Sequence, residues 1–120
     1  MSDFNEVGRQ FVAHYYSTLD SKKEDLASLY ADTSMLTFEG EQFLGTKSIM
    51  EKLCGMPTLA HKIESQDYQP TTGDGIIAFV TGQLTIDGGN PMNYSQVFHL
   101  AVGGSQGYYV YNDIFRLSLI

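Results

Sequence analysis

Asp113 is the residue whose type fits its neighbours least. It alternates with Tyr111 and Phe115, and the period-2 pattern of a strand sends all three to one side. A carboxylate placed among aromatic rings is costly unless it is hydrogen-bonded. Two readings stay open: a carboxylate held by a Tyr or Asn within the core, or a general base with a raised pKa in an apolar pocket. Two more acidic loci lie in turns, Phe38-Glu39-Gly40-Glu41 and Asp87-Gly88-Gly89-Asn90-Pro91. Turn chemistry explains both as solvated residues. The functional reading is an acidic rim around an aromatic pocket, facing a basic partner.

The remaining chemistry-bearing residues are sparse. His14, His61 and His99 form no i, i+4 pair, so no zinc-binding helix is expected. The single Cys54 excludes an internal disulfide and a Cys-based zinc site. The glycines of 87–91 lack the spacing and the Lys of a phosphate loop. No metal, nucleotide or other cofactor is expected.

Charge narrows the partners. Lys and Arg number 7 against 14 Asp and Glu, giving a net charge of −7 over 120 residues. The basic residues are scattered, so neither nucleic acid nor an anionic membrane is expected as a partner. The longest strongly apolar run, 76–80, falls far below the ~20 residues of a membrane span. No leader is recognisable at the N-terminus, so a soluble, intracellular protein is expected. Length and a 42% hydrophobic content predict one globular domain over residues 1–120.

The elements that must position these residues follow from patterning. Phe4, Val7, Gly8, Phe11, Val12, Tyr15 and Tyr16 recur at helical spacing. Ser21 and Glu24 form a capping box that predicts a second, short helix carrying Leu26, Leu29 and Tyr30. Strands are predicted at 35–38 and 42–44 about the Glu39-Gly40 turn, then a helix from about Thr46 to Gly55. Four β-rich runs follow, at about 61–69, 75–86, 92–102 and 108–118, divided by Gly-rich breaks including 103–107. Such breaks predict sequential antiparallel hairpins and an α+β architecture. Both faces of the last strand carry apolar residues, yet three short helices cover only one face of the sheet. The other face predicts a homodimer packed sheet to sheet.

Several blocks of the chain are similar to the nuclear transport factor 2 family. They are Phe11-Val12-Ala13-His14-Tyr15-Tyr16, Ser34-Met35-Leu36-Thr37-Phe38-Glu39-Gly40, Gln66-Asp67-Tyr68-Gln69-Pro70, Ser95-Gln96-Val97-Phe98-His99-Leu100 and Asn112-Asp113-Ile114-Phe115-Arg116-Leu117. With Glu51-Lys52-Leu53 and Gly82-Gln83-Leu84, they fall in the family's order and cover essentially the whole chain. The resemblance implies a cone-shaped α+β roll, a strongly bent antiparallel sheet wrapped around N-terminal helices, with an open cavity. It implies a non-enzymatic homodimer that carries the GDP form of the small GTPase Ran from cytoplasm to nucleus. The carrier also binds Phe-x-Phe-Gly repeats of nucleoporins at pore complexes.

Residue by residue, the resemblance implies a Ran site of Phe38, Glu39, His61 and Asp87, with Phe4 as the anchor for repeats. Ran inserts an aromatic side chain into the cavity, and its basic residues pair with the rim carboxylates. Phe38 and Phe4 stand where many members have Trp, and Gly88-Gly89-Asn90 lacks a second rim Asp. Two other readings remain. A cone-fold isomerase or dehydratase would use Asp113 as general base on an apolar carbonyl compound. A dimeric scaffold would have lost Ran binding.

Overall fold

A computed structural model of the chain describes residues 3–104 and 107–118. Helix α1 spans Phe4–Ser21. The Asp3 side chain caps it by accepting from the Asn5 N–H at 3.0 Å. Its buried stripe is Gly8, Phe11, Val12, Tyr15, Tyr16 and Leu19, in line with the helical spacing. Gly8 is there for clearance: a Cβ would lie 2.3 Å from the Tyr68 ring.

The expected second helix is instead a 3₁₀ segment, Lys23–Leu29. Ser21 caps nothing. It ends α1, and its hydroxyl turns back to the Ser17 carbonyl at 2.6 Å. The segment still buries Leu26 and Leu29. Strands β1 (Tyr30–Phe38) and β2 (Glu41–Leu44) form the predicted hairpin. Glu39 and Gly40 at its turn have φ of 52° and 89°, the paired positive values of a type I′ turn. Helix α2 spans Gly45–Cys54 and buries Ile49 and Leu53.

Four long strands follow: β3 (Leu59–Pro70), β4 (Ile76–Ile86), β5 (Met92–Val102) and β6 (Tyr108–Ser118). They pair antiparallel in sequence, as the Gly-rich breaks predict. Ser105 and Gln106 of the last break lie outside the described residues. The sheet order is β2-β1-β6-β5-β4-β3, an open six-stranded sheet. One pairing differs from expectation: β1 runs parallel to β6.

The sheet rolls around α1. Phe98, Leu100, Val80, Ala78 and Val110, all fully buried, face inward with Tyr15 and Val12. The strict alternation expected for the last strand fails at one point. Register shifts where His99 pairs Asn112 but Leu100 pairs Val110, so Tyr111 is an extra residue in β6. Val110, Asp113 and Phe115 are therefore buried together, while Tyr111 is exposed. On the outer face Ile77, Phe79 and Ile114 stand 41%, 42% and 48% exposed. They leave an open apolar surface, with a groove of about 440 Å³ beside Met35, Val97 and Ile114.

Candidate functional site

The inner face of the roll closes on a narrow slot. Phe38, His61, Asp113 and Phe115 line it, with Leu19, Met56 and Leu59 among the apolar walls. Its free volume is only about 10 Å³. The slot is thus a crevice between side chains, too thin for a second ring without movement of the walls. Phe38, at the end of β1, stacks on Phe115 of the neighbouring β6 with centroids 4.6 Å apart and planes 4° from parallel. The Lys52 ammonium sits 4.9 Å from the Phe38 centroid, within cation–π range. It also lies 3.9 Å from Glu41, so that rim carboxylate is already paired.

His61 enters from the start of β3. Its ring tilts against Tyr16 at 4.7 Å and meets Tyr94 edge-on at 5.4 Å. Asp20, near the end of α1, holds it at two points. One carboxylate oxygen accepts the His61 backbone N–H at 2.8 Å, and the other lies 2.6 Å from ring Nδ1. The sequence alone does not single out Asp20, because the pair is 41 residues apart.

Asp87 sits at φ 51° in the turn between β4 and β5, followed by Gly88 at φ 71°. Its Oδ1 accepts from the Thr58 N–H at 3.2 Å, and its own N–H donates to the Thr58 carbonyl at 2.8 Å. These bonds fasten the turn to the segment before β3. Asp87 borders an outer groove of about 530 Å³ with Asp20, Lys23 and Glu24. The groove shares Leu19, Met56 and Leu59 with the slot. The Lys23 ammonium is spent on the Met56 carbonyl at 2.6 Å and the Pro57 carbonyl at 2.5 Å. It therefore holds the loop after α2 against the slot.

Of the expected site residues, Phe38 and His61 share the slot, and Asp87 stands on the adjoining groove. Glu39 lines neither cavity. It is exposed in its turn, and its Oε1 accepts from the Leu117 N–H at 2.5 Å, which aims the carboxylate along β6. Phe4 opens α1 and is half-buried, packed against the margin of the core.

Asp113 is fully buried and bonded at both oxygens. Oδ2 accepts from Tyr30 at 2.8 Å and lies 3.2 Å from the Tyr15 hydroxyl; Oδ1 accepts from Gln96 Nε2 at 2.7 Å. The Tyr15 and Tyr30 hydroxyl oxygens are 2.6 Å apart, and Tyr16 donates to Gln96 Oε1 at 2.6 Å. Burial pushes the Asp113 carboxyl from 3.8 up to about 6, while Gln96, Tyr30 and Tyr15 pull it back down by donating to it. Burial, reinforced by the Asp113 charge, holds Tyr15 and Tyr30 well above the ordinary phenol range. Both stay protonated, as donors. Of the two sequence readings, the core carboxylate held by Tyr matches this geometry.

Among the described residues, no group of three or more His, Cys, Asp or Glu is placed to hold a metal ion. His14 is exposed on α1, and His99 lies on the outer face near Thr71 and Asn112.

An open sheet rolled around one long helix, with a crevice at its inner face, is a widely shared α+β architecture. Yeast UBP3-associated protein BRE5 has it at a TM-score of 0.84 and 24% identity, over 100% of both chains, a likeness of fold alone. The chain itself belongs to the nuclear transport factor 2 family: the Nuclear transport factor 2 (NTF2) domain matches residues 7–117. Nuclear transport factor 2 of Neurospora crassa is 50% identical over 98% of each chain, and that of Schizosaccharomyces pombe 48% over 98% of each. The solved nuclear transport factor 2 of Cryptosporidium parvum superposes with a TM-score of 0.91 at 41% identity, covering 96% of this chain and 94% of that one. The names of these relatives support a role in nuclear transport and describe transport factors, not enzymes.

Proposed function

We propose that this chain is a nuclear import carrier for the GDP form of Ran. As a homodimer it moves Ran from cytoplasm to nucleus and binds Phe-x-Phe-Gly nucleoporin repeats at the pore. The observation that carries the reading is the slot itself: Phe38 and His61 on its walls, Asp87 on the groove that shares three of those walls. An aromatic side chain of Ran parts the crevice and gains apolar burial. Asp87 and Glu39 meet basic residues beside it, which sets orientation and speeds encounter. Phe4, half-buried at the start of α1, offers its free edge to a repeat. The outer sheet face, with Ile77, Phe79 and Ile114, supports a dimer across that surface.

One observation favours a second reading, a dimeric scaffold without Ran binding. The turn that holds Asp87 continues as Gly88-Gly89-Asn90, so it carries a single carboxylate. The enzyme reading draws no such support, because both oxygens of Asp113 are already bonded to Tyr30 and Gln96. Titration with Ran in each nucleotide state separates carrier from scaffold.

A further inference from the structure

We propose that Asp20 is a positioning residue for recognition: it fixes the protonation pattern of His61 and so decides which hydrogen bond the slot offers. The recognition half of this proposal rests on the Ran-binding reading of the slot. An ionised carboxylate only accepts hydrogen bonds. With Asp20 Oδ1 2.6 Å from Nδ1, the proton of a neutral His61 ring belongs on Nδ1. The Asp20 Oδ2 bond to the His61 backbone N–H keeps the carboxylate from rotating away. The side chain of His61 is only 2% exposed, and its ring is held between Tyr16 and Tyr94. Nε2, at the opposite edge of the ring from Asp20, has no hydrogen-bond partner among the described residues, and His61 lines the slot.

Asp113 and Gln96 also line the slot but are bonded to one another and to tyrosines, so the unpaired Nε2 is the specificity element. An acceptor that an inserted ring seals from water and leaves unpaired costs binding free energy, whereas a matched donor recovers it. The slot therefore selects an aromatic ring with an N–H or O–H donor beside it, not an apolar ring alone. Asp20 lies on the outer groove, so it acts through His61 without touching the inserted ring.

Asp20→Asn tests this with little change of shape. The backbone N–H of His61 needs an oxygen, so the Asn amide must turn its NH₂ toward Nδ1. Nδ1 then accepts, the proton moves to Nε2, and the slot presents a donor in place of an acceptor. Ring ¹³C and ¹⁵N shifts of labelled histidine, at a pH high enough for the ring to be neutral, read the tautomer in the free dimer. Ran-GDP titration reads recognition. The expected result is Nδ1–H in the wild type, Nε2–H in Asp20→Asn, and at least about tenfold weaker Ran-GDP binding by the variant with its melting temperature little changed.

An Nε2–H ring in the wild type overturns the proposal without any variant. A flipped tautomer with wild-type affinity overturns the recognition half while leaving the carrier reading intact. A wild type that does not bind Ran-GDP overturns both the recognition half and the carrier reading, and the shifts still decide the tautomer.

Discussion

The Tyr30 hydroxyl donates to the Asp113 carboxylate at 2.8 Å across 83 residues of chain, joining β1 to its parallel neighbour β6 beneath the slot. The bond is fully buried, so the charge state of Asp113 is a matter of stability. Its carboxyl titrates near 6 in the fold against 3.8 ordinarily. The folded state therefore holds the proton more tightly, and stability from this group is complete below about pH 4 and is lost as pH rises through 6. Ionisation costs about 3 kcal/mol by neutral pH. In Asp113→Asn the amide can keep the Tyr donors if Gln96 flips. Urea midpoints of wild type and variant are expected to differ by a pH-dependent amount. The gap should move in favour of the variant between pH 4 and 7 and stay flat outside that window.

Ile114 is half-exposed on the outer face, on the interior strand β6. Ile114→Lys should leave the single chain folded but place a charge on the proposed sheet-to-sheet seam. Sedimentation should give a dimer for the wild type and a monomer for the variant, since an interface of about 800 Å² per partner tolerates an unpaired buried charge poorly. A variant that remains fully dimeric excludes this face as the seam.

Glu39 is exposed, so losing its bond to the Leu117 N–H costs under about 1 kcal/mol of stability. Glu39→Lys should melt close to the wild type yet bind Ran-GDP at least about tenfold more weakly, because a rim attraction becomes a repulsion. Equal capture of GDP-loaded Ran by both proteins removes Glu39 from the site.

Phe4 is partly buried, which limits both its role and the cost of removing it. Phe4→Ala should destabilise by about 1–2 kcal/mol, less than the ~3–5 of a fully buried Phe. Binding to immobilised Phe-x-Phe-Gly repeats should fall by about tenfold while Ran-GDP affinity stays within about twofold. Parallel loss of both affinities would point to a general effect of unfolding α1.

Hairpins were legible because their signals are local. The β-branched runs and Gly-rich breaks mark β3 to β6, and Glu39-Gly40 and Asp87-Gly88 carry the positive φ values of tight turns. What escaped was non-local or a matter of phase. Nothing near β1 announces a parallel partner at the other end of the chain. One extra residue at Tyr111 shifts the inward face of β6, so alternation placed Tyr111 with Asp113 when Val110 belongs there. Ser21 and Glu24 had the spacing of a capping box, but the Ser21 hydroxyl found the Ser17 carbonyl within α1 first. The candidate site divides the same way. Asp113 stood out by its aromatic neighbours, whereas the roles proposed for Phe38, His61 and Asp87 came from the family resemblance. Asp20 and Lys23, which hold the slot's walls, bond to groups more than thirty residues away.

Calorimetric titration of this family member with Ran-GDP and Ran-GTP under identical conditions decides whether it carries Ran in its GDP form. A carrier should bind Ran-GDP saturably, one per protomer, with Ran-GTP at least about a hundredfold weaker, a discrimination of about 2.7 kcal/mol. Equal affinity for the two forms, or binding to neither, would contradict the carrier reading.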